Sequence, residues 1–192
     1  MNIHRIGTVF VILGLVLICS ALSLFFYNNY QEEQSYKITE NVLSSLESEE
    51  LNGGENNESQ EVTVDLNGYD YIGFIKIPKM EIKLPVLSEW DYARLKIAPC
   101  RQFGSIGTDD IVIAAHNYKK HFGSLSTLNV GDEVIFTDAN KNEHIYSVER
   151  VEVLEATDVE KVQNSGYDLV LYTCTYSGKM RVAVFCNKRS IK

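Results

Sequence analysis

The chain opens on one unbroken apolar stretch and later settles into short alternating runs. Residues 6–26 carry no charge and are mostly Val, Ile, Leu and Phe. As a helix, these 21 residues would span about 31 Å, the hydrocarbon thickness of a bilayer. Arg5 stands just before the run, and Glu32 and Glu33 follow it. The positive-inside rule therefore predicts a cytoplasmic N-terminus, with everything after Tyr30 outside the cell. A cleaved signal peptide fits less well, because the run exceeds the usual ~7–15 residues and no A-x-A site follows. A lipoprotein signal also fits poorly, since bulky Ile18 precedes Cys19 where a small residue is needed. The expectation is an uncleaved membrane anchor over residues 1–30.

Residues 31–61 change character. Nine glutamates against one lysine give this stretch a local charge of −8. Ile38, Val42 and Leu46 fall four residues apart and predict a short helix. The rest is too polar to offset its ordering entropy, and the segment is expected to be a flexible acidic stalk with its charges solvated.

Residues 62–192 read as mostly strands, long enough together to bury a core. Strands are predicted at 71–77, 81–87, 110–115, 132–137, 144–154, 168–173 and 180–186. The run at 110–115 is almost wholly apolar, as in a strand covered on both faces. Short helical signals lie at 91–97, 122–128 and 158–163, the last beginning with an Asp cap. Seven or more strands with minor helices predict a mainly β domain, a closed or nearly closed barrel.

Charge then removes some functions. Residues 62–192 hold 17 acidic and 16 basic side chains, so the domain lacks the basic field that nucleic-acid binding needs. Four cysteines in 192 residues are too few for a disulfide-built scaffold.

Four cysteines and four histidines also make the search for chemistry small. Cys19 and His4 belong to the anchor region. Among the others, His116 follows the apolar run at 111–115, and Cys174 follows Leu169-Val170-Leu171-Tyr172-Thr173, so both stand at predicted strand ends. Strand ends hold a side chain rigidly while leaving it accessible. Arg181 lies beyond a turn, Thr175-Tyr176-Ser177-Gly178, and an antiparallel return brings it back beside Cys174. A thiol, an imidazole and a guanidinium so placed form a reactive set: nucleophile, proton carrier and oxyanion partner. Cys186 is expected to be a buried thiol in the last strand, and Cys100 to be exposed in a loop. A Cys100–Cys186 disulfide stays open. His121 and His144 are expected to be solvated. No Cys or His pair has zinc-ligand spacing.

Leu171-Tyr172-Thr173-Cys174 resembles the L-x-T-C signature of sortases, the cysteine transpeptidases that attach proteins to Gram-positive cell walls. Ala115-His116 resembles that family's strand-end histidine, and Arg181 its arginine on the strand after the cysteine. Similarity continues through most of 69–187, including Ile75-Lys76-Ile77-Pro78, Leu84-Pro85-Val86 and Asn129-Val130-Gly131-Asp132. Three motifs in order are far more specific than L-x-T-C alone. The resemblance implies a closed eight-stranded sortase-type β-barrel with a few short helices, preceded by an N-terminal transmembrane helix, with residues 62–192 as catalytic domain. It implies that Cys174 cleaves an LPxTG-like sorting signal between Thr and Gly, with His116 as acid and base and Arg181 holding the oxyanion. Thr173, Ala115 and Thr175 are the expected substrate contacts. The implied partners are surface proteins with a C-terminal sorting signal, and a peptidoglycan precursor or pilin amine as acceptor. The implied location is the cell membrane, with the catalytic domain outside.

Some features depart from particular classes. No second apolar span follows Cys186, as many pilus-assembling sortases have, and no Asp-Pro-aromatic lid motif occurs, Trp90 lying downstream of its place. The segment 154–168 is too short for the long helix of class B, which leaves class A, class D or a clostridial-type group. Some class A members bind calcium. Glu149, Glu152, Glu155 and Asp158 would supply carboxylates, but strand-face alternation explains them equally well, and no cofactor is expected. An L,D-transpeptidase would need glycine before the cysteine and arginine two residues after it, where this chain has Thr173 and Tyr176. A non-catalytic anchored binding domain would make Cys174 an inert core thiol.

Overall fold

In the computed structural model, which describes residues 3–48 and 62–189, the apolar run lies within a long helix, α1 (Ile3–Ser48). A window within Gly7–Ser45 is long and apolar enough to cross a membrane. The chain divides into two compact units, Met1–Gln34 and Ser35–Lys192, so α1 contributes residues to both.

The flexible stalk expected over 31–61 is not what the structure has through Ser48, where the backbone stays helical; residues 49–61 lie outside the described residues. The reason is a buried helix face. Ser35, Thr39 and Val42 recur at helical spacing and are only 2%, 1% and 2% exposed. Ile38, part of the apolar seam expected from sequence, is instead 42% exposed. The face used is largely hydroxyl-bearing, so apolar periodicity does not mark it.

The described residues of the second unit form nine strands: β1 (Val64–Leu66), β2 (Tyr69–Ile77), β3 (Ile82–Leu87), β4 (Cys100–Phe103), β5 (Ile111–Ala114), β6 (Glu133–Asp138), β7 (Glu143–Glu155), β8 (Leu169–Cys174) and β9 (Met180–Lys188). Their order is β1-β2-β3-β4-β5-β8-β9-β7-β6, and a further β2–β6 pairing closes the ring. Strands β2 to β9 thus make a closed eight-stranded barrel, with β1 added as a hairpin to β2. Closure depends on Gly73 (φ 142°), where any Cβ would sit 2.0 Å from the Thr137 carbonyl oxygen of β6. The expected helical signals appear as 3-10 turns at Arg94–Lys96 and Leu125–Thr127, and as a short helix, α2 (Val159–Gln163).

Period-two alternation sorts the side chains. Ile75, Ile77, Leu84, Val86, Ile113, Leu171 and Val184 fill the barrel. Val112, Val170, Ala183 and Phe185 face outward and are covered by Leu154 and by Val162 of α2. Strand β5 pairs in parallel with β8, from Ile111↔Leu169 to Ala114↔Tyr172, and its four residues are buried on both faces. That burial accounts for its continuous apolar sequence.

Candidate active site

The same alternation builds one outer-face site at the end where β5 and β8 both finish. In β5, Ile111 and Ile113 point into the barrel, and Ala115 just beyond it does so again. His116 therefore emerges on the outer side, half-buried. In β8, Leu169 and Leu171 point inward, which puts Tyr172 and Cys174 outside, and Cys174 is half-buried. Arg181 of β9 pairs in register with Cys174, while its neighbours Val182 and Val184 face the core. Residues directly opposite in an antiparallel pair hold their Cβ atoms about 4.5–5.5 Å apart.

Hydrogen bonds keep the two strand ends aligned past the last ladder pair. The Ala115 N–H donates to the Tyr172 carbonyl (3.2 Å), and Thr173 Oγ1 donates to the Ala115 carbonyl (2.8 Å). Asn117 Nδ2 donates to the Thr175 carbonyl (3.4 Å). His116 and Cys174 stand between these ties. Thr173 and Ala115 are 2% and 3% exposed, so their side chains brace the site from inside. Thr175 is half-exposed on the rim; its N–H donates to the Met180 carbonyl (2.9 Å) and closes the turn that returns Arg181.

The side chains carry distinct electrostatics. Burial, and secondarily the charge of Lys96, holds His116 below the ordinary imidazole value, so it is neutral at pH 7. Its Nε2 is buried without a partner, and its ring stacks on Tyr118 at 4.8 Å between centroids. Arg181 Nη1 donates to the carbonyls of Gly178 (3.1 Å) and Met180 (3.0 Å), which anchors the guanidinium while its remaining donors stay available.

The other thiols and imidazoles are placed elsewhere. Cys100 is not exposed in a loop as expected: it lies in β4 at 0% exposure, and burial pushes its thiol up to about 12. Cys186 is also fully buried, with its thiol pushed up by burial. Both are free, so no disulfide joins them. His121 is not solvated but 1% exposed, and burial lowers it to about 4. His144 is also partly buried, 3.2 Å from Asp138 Oδ2. Among the described residues no group of three or more His, Cys, Asp or Glu could hold a metal ion.

Beside Arg181 opens a pocket of about 200 Å³, lined by Tyr172, Gln102, Leu154, Val162, Trp90 and Tyr92 among others. Tyr172 Oη donates to Gln102, and Trp90 packs on Tyr92 at 5.2 Å. Trp90 and Tyr92 come from the β3–β4 connection, which Asp91 shapes by accepting from the Ala93 and Arg94 N–H groups, both at 2.7 Å. Sequence reading singled out Trp90 as an aromatic but not as a pocket wall. Gln102 carried no signal at all: it falls where the β4–β5 register shifts between Arg101 and Phe103.

A family model described as a sortase domain matches residues 75–189, more than half of the chain. Among solved structures, a Clostridium perfringens sortase D5 transpeptidase is 22% identical with a TM-score of 0.64, covering 81% of this chain and 98% of that one. Sortase E from Streptomyces avermitilis is 26% identical with a TM-score of 0.55, covering 62% and 88%. Clostridium perfringens sortase C, solved with the C-terminal cell wall sorting motif, is 19% identical with a TM-score of 0.58, covering 84% and 91%. Below 25% identity, the first and third speak for the fold alone. No curated protein matches the chain.

Proposed function

The chain belongs to the sortase family, and from that premise we propose that Cys174, His116 and Arg181 carry out its transpeptidation on an LPxTG-like sorting signal. The observation that carries this reading is the register: Cys174 faces Arg181, and His116 follows two residues after the Ala114↔Tyr172 pair, all on one outer face.

The steps follow from the chemistry of the three groups. As the Cys174 sulfur attacks the Thr carbonyl, its proton passes to the neutral His116 imidazole. Charge builds on the carbonyl oxygen, where Arg181 and nearby backbone N–H groups stabilise it. The C–N bond to Gly breaks, His116 returns the proton to the leaving amine, and a thioacyl enzyme remains. An incoming amine then attacks the thioester, His116 takes up its proton, and Cys174 leaves as thiol. The barrel contributes placement, and the cysteine divides one amide exchange into two acyl transfers. The pocket walled by Leu154, Val162 and Tyr172 suits an apolar side chain of the signal.

The proposed donors are surface proteins bearing a C-terminal sorting signal, and the acceptor is a cell-surface amine of a peptidoglycan precursor or pilin. The apolar part of α1 anchors the chain in the membrane with residues 62–192 outside the cell. Intact mass spectrometry of the full chain in detergent, after incubation with sorting-signal peptides, tests the nucleophile. An acyl adduct on the wild type and none on Cys174→Ala is expected. An adduct that persists in Cys174→Ala would sink the assignment.

A further inference from the structure

The turn after β5 is closed on itself. Phe122 N–H donates to the His116 carbonyl (3.2 Å), and the His121 and Gly123 N–H groups both donate to the Tyr118 carbonyl (2.9 Å). Gly123 is required there, because a Cβ would lie 2.7 Å from the carbonyl oxygens of Asn117 and Tyr118. Within this turn the Tyr118 ring stands between two imidazoles, with centroids 4.8 Å from His116 and 5.4 Å from His121.

His121 continues the chain of contacts to α1. Its Nε2 lies 3.2 Å from Ser35 Oγ, and the Ser35 hydroxyl donates to the Ile97 carbonyl at 3.1 Å. With the single hydroxyl proton committed, Ser35 accepts from His121, so Nε2 carries the imidazole proton. Ser35 and His121 are 2% and 1% exposed, and burial keeps His121 neutral. An apolar pair would fill this space without desolvating two polar groups. What the polar pair adds is direction: one ring orientation satisfies the bond, and others leave a buried donor unpaired.

We propose that Ser35, His121 and Tyr118 are positioning residues for His116. The α1 hydroxyl fixes the His121 ring, His121 braces Tyr118, and Tyr118 sets the plane of the His116 imidazole. The proposal rests on reading His116 as the proton carrier. It makes the segment of α1 from Ser35 onward a working part of the catalytic domain. Proton transfer is sensitive to small misplacements, so the effect belongs in kcat and not in KM.

The test uses the full 192-residue chain in detergent micelles, a Leu-Pro-x-Thr-Gly peptide as substrate, and spectra of the ¹⁵N-labelled histidine rings. Ser35→Ala, which keeps a good helix former, is expected to lower kcat about 5- to 10-fold at unchanged KM, a fraction of the ~10²-fold cost of a full ångström of misplacement. It should also shift the His116 ring resonances. Tyr118→Leu should act in the same direction. His121→Gln, which keeps a donor to Ser35 but removes the ring that meets Tyr118, should also lower kcat. Ser44→Ala, exposed on the same helix, should change nothing. Unaltered kcat and unaltered His116 resonances in Ser35→Ala would overturn the proposal, even with His116→Ala inactive. Full turnover in His116→Ala would instead overturn the proton-carrier reading itself.

Discussion

His116 and His121 sit at the two ends of one tight turn yet belong to different regions of the molecule. His116 comes out on the barrel's outer face beside the end of β8, half-buried, with Nε2 unpartnered. His121 is sealed against α1 at 1% exposure, its Nε2 bonded to Ser35. Burial lowers both imidazoles, so neither is distinguished by charge at pH 7. What distinguishes them is place. The half-buried one stands at the strand ends that carry Cys174 and Arg181, where a neutral imidazole can serve a proton transfer. The one sealed in the core and bonded to Ser35 serves only to hold position.

The largest expected effect breaks that comparison at its reactive end. His116→Ala should lower peptide turnover about 10³- to 10⁴-fold, the upper part of the range for losing an acid–base group. Its Tm should hold, because the side chain is only half-buried; a turnover loss accompanied by an equal collapse of Tm would move His116 to the structural side. Next, Arg181→Ala should cost about 10²- to 10³-fold in kcat, as for other lost oxyanion donors. Arg181→Lys should recover only part, since an ammonium lacks the planar fork. Unchanged kcat in Arg181→Ala would leave the backbone N–H groups as the oxyanion partners.

The smallest effect sharpens the comparison at the sealed end. The unfolded chain binds a proton at His121 near pH 6.5, while the folded one refuses it until about 4. Stability is therefore full above pH 6.5 and declines as pH falls toward 4, by an amount of the order of 3 kcal/mol. Denaturant unfolding between these pH values should show that slope, and His121→Gln should flatten it. A slope as steep in His121→Gln would assign the loss to other groups, His116 among them.

Several elements were legible in the sequence for local reasons. The predicted strands at 71–77, 110–115, 168–173 and 180–186 correspond closely to β2, β5, β8 and β9, because burial on one or both faces leaves a direct record in alternation or in a continuous apolar run. Strand β1 was missed, although Asn67-Gly68, both at positive φ, is a strong hairpin signal. Only three residues precede that turn in the strand, too few for periodicity to register. Strand β4 was missed for another reason. Cys-Arg-Gln-Phe has no alternation to read, and its link to β3 is a single parallel pair, Leu87↔Cys100.

The sequence by itself determined the apolar run at 6–26, the strand-end positions of Cys174 and His116, and the turn that returns Arg181. Each depends on residues close together in the chain, where chemistry and spacing can be read directly. Only the tertiary structure decided that β2 meets β6 to close the barrel at Gly73 and that Cys100 is buried. It also decided that Thr173 and Ala115 face inward and that His121 lies under Ser35. These depend on which distant segment supplies the covering surface, for Ser35 and His121 are 86 residues apart. A histidine carries the same atoms in water and in a core; the neighbours that remove the water make the difference.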